Sequence, residues 1–166
     1  MLEGVAHPSA QFFCGGQLYE GVVRPSALLL QGERFLTVRH KNEDMFCLPG
    51  GKCDIDETED LALIREVGEE TRLSISELQI VQRLKGILAD GQYVQLPLYL
   101  VGKYSGFLAA RGEIAEIKWV DRENYRRIKV ASMIRTHIIP GMIEGNWQAY
   151  VKQYPSAELT RNRALE

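Results

Sequence analysis

The chain has little of the chemistry most often recruited for metal and nucleophile sites, with three cysteines and three histidines in 166 residues. Cys14, Cys47 and Cys53 form no CxxC pair, which excludes a zinc ribbon or a dithiol redox motif and leaves reduced thiols of a cytoplasmic protein as the expectation. His7, His40 and His137 are scattered, so nothing supports a His-based metal site or a Ser-His-Asp triad, and each is expected to be structural or at the surface. Positive charge is not in excess: a net charge of -2 and a pI of about 6.0 give no broad basic field, so no long nucleic acid is expected as a partner. The longest apolar runs, "SALLL" at 26 to 30 and "LPLYLV" at 96 to 101, fall far short of a bilayer span, so no membrane association is expected. The start, "MLEGVAHPSAQFF", has neither the basic residues nor the apolar core of a signal peptide.

Two ligand motifs are also missing. No G-x4-G-K-[ST] phosphate loop occurs. "DIDETED" spaces oxygens at Asp54, Asp56 and Thr58 as a calcium loop does, but the sixth position is Glu59 rather than glycine and the twelfth is Arg65 rather than glutamate.

What is present is an ordinary globular composition, 45% hydrophobic and 25% charged, over a length suited to one domain. Residues 1–21 read as an N-terminal arm or strand, 22–151 as the domain and 152–166 as a polar tail. "SALLLQGERFLTVRH" divides around "QGE" as a hairpin does. "SELQIVQRLKGIL" and "QYVQLPLYLVGKY" read as strands joined at "ADGQ", and "EIAEIKWV" as a late strand. Helices are expected from Thr58 to about Thr71, capped by Asp56 or Thr58, and over 122–138, stopped near Pro140 and Gly141. These elements imply an α/β protein with a mixed sheet between helical layers.

The first helix carries Glu66, Glu69 and Glu70. At about 100° per residue, with Glu66 at zero, Glu69 falls near -60° and Glu70 near +40°, and Glu59 and Ala62 share that face. Leu61, Leu63, Ile64, Val67, Gly68 and Thr71 form the opposite arc, which is expected to pack on the sheet. Like charges at i and i+4 cost a helix a few tenths of a kcal/mol, and no basic residue at 62, 63, 73 or 74 relieves them. A hard divalent cation, Mg²⁺ or Mn²⁺, removes that penalty, since it prefers carboxylate oxygens and keeps positions open for water and phosphate. Gly50 and Gly51 would let a backbone carbonyl approach the same ion.

Residues 51 to 73, "GKCDIDETEDLALIREVGEETRL", run Gly51, five residues, Glu57, seven residues, then Arg65-Glu66-Val67-x-Glu69-Glu70. This resembles the Nudix box, G-x5-E-x7-R-E-U-x-E-E-x-G-U with U a bulky aliphatic, the signature of the Nudix hydrolases. Arg72 alone departs from it, standing where the family has its second glycine. The similarity continues in "LPGG" at 48 to 51, in Phe46 where many members have tryptophan, and in "EIAEIKWV" at 113 to 120 with Trp119. The resemblance implies a Nudix-type α/β/α sandwich.

The resemblance also implies Mg²⁺- or Mn²⁺-dependent hydrolysis of a nucleoside diphosphate linked to another group X, by water attack on phosphorus. Carried over by position, Glu66, Glu69 and Glu70 are metal ligands, with the Gly51 carbonyl as a fourth. Glu57 and Arg65 are a supporting ion pair. Glu66 is the first candidate for the general base and Glu113 the second. Arg24, Arg39, Phe46 and Tyr93 are candidate substrate contacts, since arginine binds phosphate bidentately and an aromatic ring stacks on a base. The proline that marks ADP-ribose hydrolases is not at its usual distance, Pro97 coming too late, and the coenzyme A signature is absent. Nucleoside triphosphates or other small nucleotides are therefore the default substrates, with ADP-ribose or a nucleotide sugar as the alternative. A non-catalytic nucleotide-binding or regulatory domain of the same fold is the rival function, and a homodimer through an exchanged N-terminal strand is open. Arg72 leaves two options, a positive φ at about 1 kcal/mol or a different helix end, and a normal exit with Arg72 facing solvent is expected.

Overall fold

The run "LPLYLV" becomes the centre of the sheet because it is buried on both faces. It belongs to strand β8, Tyr93–Ser105, in a computed structural model that describes residues 11–14, 17–87 and 93–145, with side chains over 21–84 and 94–145. Leu98 and Leu100 point into one hydrophobic cluster, Tyr99 and Val101 into the other. The period of two thus divides the interior into two cores with the sheet between them.

β8 pairs with three strands from earlier in the chain. After a separate antiparallel pair, β1 (Gln11–Cys14) and β2 (Gln17–Glu20), come β3 (Val22–Val23) and β4 (Ser26–Leu28), both parallel to β8. On the other side of β8 runs β7, Ser74–Ile87, antiparallel to it. A second, antiparallel sheet has the order β5 (Leu30–Gln31), β6 (Arg34–His40), β9 (Ile114–Val120). The hairpin expected at "QGE" is the β5–β6 turn, with Gly32 at φ 62. The turn expected at "ADGQ" lies outside the described residues, as does the tail from 146.

One core receives Leu63 and Val67 of helix α1, Glu59–Thr71, and the other receives Ile134, Ile138, Ile139 and Met142 near the C-terminus. The architecture is therefore the α/β/α sandwich with mixed strands. Thr58 caps α1, its Oγ1 accepting from Leu61 N at 3.3 Å. Arg72 closes the helix in the left-handed region, φ 67, its N–H donating to Gly68 O at 3.0 Å, and its side chain is exposed. The helix exits normally and the positive φ is the option taken.

The buried stripe of α1 is turned from the expected arc. Leu61 is 57% exposed and Ile64 38%, whereas Ala62, Glu59 and Glu70 are buried. The stripe is centred about 90° nearer to the glutamates, because Glu59 finds partners on the sheet: Tyr99 OH donates to its Oε1 at 2.6 Å and Arg83 to its Oε2 at 2.8 Å.

The second helix also differs from expectation. A 3₁₀ turn at Tyr125–Arg127 is followed by helical residues 132–144, with a π-helical turn at Ile134–Ile138 and α2 at Ile139–Glu144. Pro140 does not stop the helix. It sits in the first turn of α2, where a missing N–H costs little, and the wide π turn before it accommodates the ring. The helix ends at Gly145, φ 71.

Candidate active site

The loop 46–51 places the glutamates. It is stitched to β6 by paired hydrogen bonds between Val38 and Cys47, each 2.8 Å, and to β4 by Ala27 N donating to Pro49 O at 2.8 Å. Gly50, at φ 152, donates its N–H to Glu70 Oε1 at 2.8 Å. Gly51 lies flush against Glu66, where an added Cβ would stand 2.6 and 2.7 Å from its carboxylate oxygens. Both glycines therefore have a geometric purpose: one turns the backbone so that its amide reaches Glu70, the other leaves room for Glu66.

Arg65 ties the loop to the helix. Its Nε and Nη2 donate to the two oxygens of Glu57 at 2.8 and 2.9 Å, a bidentate pair. The same guanidinium reaches Glu66 Oε1 at 3.0 Å, Lys52 O at 3.2 Å and Glu69 Oε2 at 3.5 Å. The Arg65 hydrogen bond holds the Glu57 carboxyl below the usual range, and Glu57 in turn raises the guanidinium.

Glu66, Glu69 and Glu70 line a cleft of about 370 Å³ with His40, Arg111, Gly112 and Glu113. A second cavity of about 350 Å³ shares His40, Gly112 and Glu113 and adds Lys41, Asn42 and Glu43. His40, the last residue of β6, sets its Nε2 3.3 Å from Glu70 Oε2. The far wall is the segment before β9, docked on the end of α1 by Ala109 N to Thr71 O at 3.0 Å and Arg111 N to Glu70 O at 3.1 Å.

Burial dominates the electrostatics. It pushes Glu70 up to about 8 against the opposing Gly50 N–H, with the charge of Glu66 adding to the rise. Glu66 is also raised, by burial first, with Arg65 opposing. Cys47, behind the cleft, is pushed up to about 12 by burial and by the charges of Glu70 and Glu43.

The oxygen donors fit a hard divalent ion. Two of the three helix glutamates carry unfavourable charge that a cation would offset. Among the described residues no three His, Cys, Asp or Glu side chains already converge as a ready ligand cage, so the glutamates line a cleft and do not meet at a point.

The other candidates divide. Arg24 is exposed, and its charge acts on Glu66 and Glu70. Arg39 donates to Glu43 O at 3.0 Å and pairs with Glu116 at 3.5 Å. Phe46 is 5% exposed and packs in the core with Arg39 and Lys118 over its ring, so the ring is a core side chain and offers no open stacking face. Tyr93 begins β8, but its side chain lies outside the described residues. Sequence reasoning missed His40 and Arg111. Their only signals were the end of an apolar strand and a position two residues before Glu113.

A family model described as the NUDIX domain matches residues 12–140. Among solved structures the chain is similar to a MutT NUDIX hydrolase from Burkholderia pseudomallei, with 25% identity over 59% of this chain and 81% of that one and a TM-score of 0.55. It is similar to a MutT protein from Methanosarcina mazei Go1, with 23% identity over 75% and 95% and a TM-score of 0.63. A bifunctional NMN adenylyltransferase/ADP ribose pyrophosphatase from Francisella tularensis shares 21% identity over 74% of this chain and 41% of that one, with a TM-score of 0.56. The two structures below 25% identity speak for the fold alone. No curated protein matches the chain. Among the described residues no helix is long and apolar enough to cross a membrane.

Proposed function

The chain belongs to the NUDIX domain family and is a hydrolase of phosphoric anhydride bonds, and from that premise we propose that it cleaves a small nucleotide, a nucleoside diphosphate joined to a further group, with Mg²⁺ or Mn²⁺. The observation that carries this reading is that Glu66, Glu69, Glu70 and Glu113 line one cleft.

Glu66, Glu69 and Glu70, with the backbone of Gly51, would hold the ion, which when bound neutralises diphosphate charge and acidifies the attacking water. Glu66 takes the proton of that water. Its raised affinity for a proton suits a base, and the Gly51 backbone and Arg65 fix its place. Glu113 is the second candidate for this role, across the cleft. Arg65 and Glu57 hold the loop and the helix in register, and Arg24 adds positive charge near the phosphates.

Nucleoside triphosphates are the first substrates to test. ADP-ribose is the alternative, in line with the ADP ribose pyrophosphatase activity named for the Francisella tularensis neighbour, with nucleotide sugars beside it. We take 22–151 as the catalytic unit, with the arm before it available for a homodimer. A cytoplasmic setting goes with the free thiols of Cys47 and Cys53. The test is a panel of nucleotides, nucleotide sugars, dinucleotides and ADP-ribose assayed with each metal, beside Glu69→Gln and Glu70→Gln. Metal-dependent cleavage of one class, abolished in both variants, is expected. Inactivity of the wild type on every compound would favour a regulatory, nucleotide-binding domain.

A further inference from the structure

Arg111 stands on the wall of the cleft that faces the three helix glutamates. Two other arginines near the site are engaged, Arg65 by Glu57, Glu66 and Glu69 and Arg39 by Glu116 and the Glu43 carbonyl, while Arg24 acts on Glu66 and Glu70 by its charge but does not line the cleft. Arg111 lines a cleft with four carboxylates, yet its exposed guanidinium pairs with no carboxylate among the described residues.

Its backbone, by contrast, is fixed. Arg111 N donates to Glu70 O at 3.1 Å, and Ile114 N donates back to Arg111 O at 3.0 Å. Gly106, at φ 113, brings the segment so close to the helix end that a Cβ there would meet Arg72 O at 2.9 Å. Glu70 therefore presents its carboxylate to the cleft and holds Arg111 through its carbonyl, which sets the separation of the two walls.

We propose that Arg111 binds the phosphate chain of the substrate from the side opposite the glutamates, as a substrate-contacting residue. The proposal rests on the hydrolase reading above and adds to it the class of group recognised: a phosphate with two oxygens free to accept a bidentate guanidinium. It follows from charge as well as position. Carboxylates alone would repel a diphosphate, and a cation fixed on the opposite wall attracts and orients it without occupying the metal ligands.

The test separates side chain from backbone, since Arg111→Ala keeps both docking hydrogen bonds. The probe is methylene bisphosphonate, a non-hydrolysable diphosphate, titrated calorimetrically into the full chain with Mg²⁺. Kinetics follow on whichever anhydride the wild type cleaves. Arg111→Ala is expected to weaken probe binding and lower kcat/KM by about 10- to 100-fold, the size of a lost charged hydrogen-bonded contact. Arg111→Lys should recover part of the binding, and Mg²⁺-induced thermal stabilisation without probe should be unchanged in both variants. A wild type that cleaves anhydrides beside an Arg111→Ala variant with the same probe affinity and kcat/KM overturns the Arg111 assignment alone. A wild type that neither cleaves nor binds overturns the hydrolase reading, and this proposal with it.

Discussion

Gly51 and Glu66 are in direct contact: the glycine leaves the space that the carboxylate fills, and a Cβ there would lie 2.6 Å from Oε1. The obstructing atoms are the far end of a flexible side chain, so Gly51→Ala is expected to move Glu66 and leave the backbone in place. Stability should change by no more than about 1 kcal/mol. Activity should fall about 100-fold, the usual result of misplacing a catalytic group by about 1 Å. Thermal melts and steady-state rates on the same preparation check both. A fully active Gly51→Ala protein would remove Glu66 from the catalytic assignment.

The proton affinity of Glu70 makes stability depend on pH and metal. In metal-free protein its folded pKa, about 8, lies above the ordinary carboxyl value of 4.5. Between those values the folded state holds a proton that the unfolded state has lost, so this group's contribution declines as pH rises through the window. The lowered pKa of Glu57 acts in the opposite sense at more acidic pH and does not cancel the effect. With chelator present, the wild-type melting temperature should drop from pH 5 to 8 more than that of Glu70→Gln, which keeps an oxygen for Gly50 N–H. Added Mg²⁺ at pH 8 should stabilise the wild type more than the variant. Parallel pH profiles for the two proteins would show that Glu70 is not the source.

Arg72 holds φ 67 at the end of α1, and its side chain is exposed with no ion pair among the described residues. Arg72→Gly relieves the left-handed strain, offset in part by the greater freedom of glycine in the unfolded chain. A net gain of about 0.5 kcal/mol is expected, with activity unchanged. Urea denaturation would reveal it. A loss of stability would mean that the Arg72 side chain packs favourably on the helix end.

The spacing of the box made the glutamate face legible, because charges three and four residues apart share a helix face whatever surrounds them. The tilt of that helix was not legible. A hydropathy pattern places Leu61 and Ile64 inward and Glu59 outward, and contacts with Tyr99, 40 residues away in sequence, and Arg83, 24 away, reverse this. The same holds for Pro140, whose effect depends on the turn before it, and for Phe46, which the core around Leu48 and Val130 claims. Neither His40, expected to be structural or at the surface, nor Arg111 was assigned to the site from sequence, because a cleft is a meeting of distant segments and neither residue belongs to a local motif.

Glu59 offers a quantitative check on that buried contact. Tyr99→Phe removes the hydroxyl that donates to Oε1 at 2.6 Å, at a carboxylate only 2% exposed. The deficit falls on a charged acceptor that water barely reaches, so the expected cost is about 1 to 3 kcal/mol. Arg83→Ala deletes a donor at 2.8 Å whose own side chain is 38% exposed, and solvent screening discounts the loss to about 1 kcal/mol or less. The order should therefore be Tyr99→Phe more destabilising than Arg83→Ala, read as shifts in urea midpoint at constant m-value. The reverse order would mean that the ion pair, rather than the tyrosine hydroxyl, holds the start of α1 to the sheet. The rotated stripe that buries Glu70 would then depend on charge.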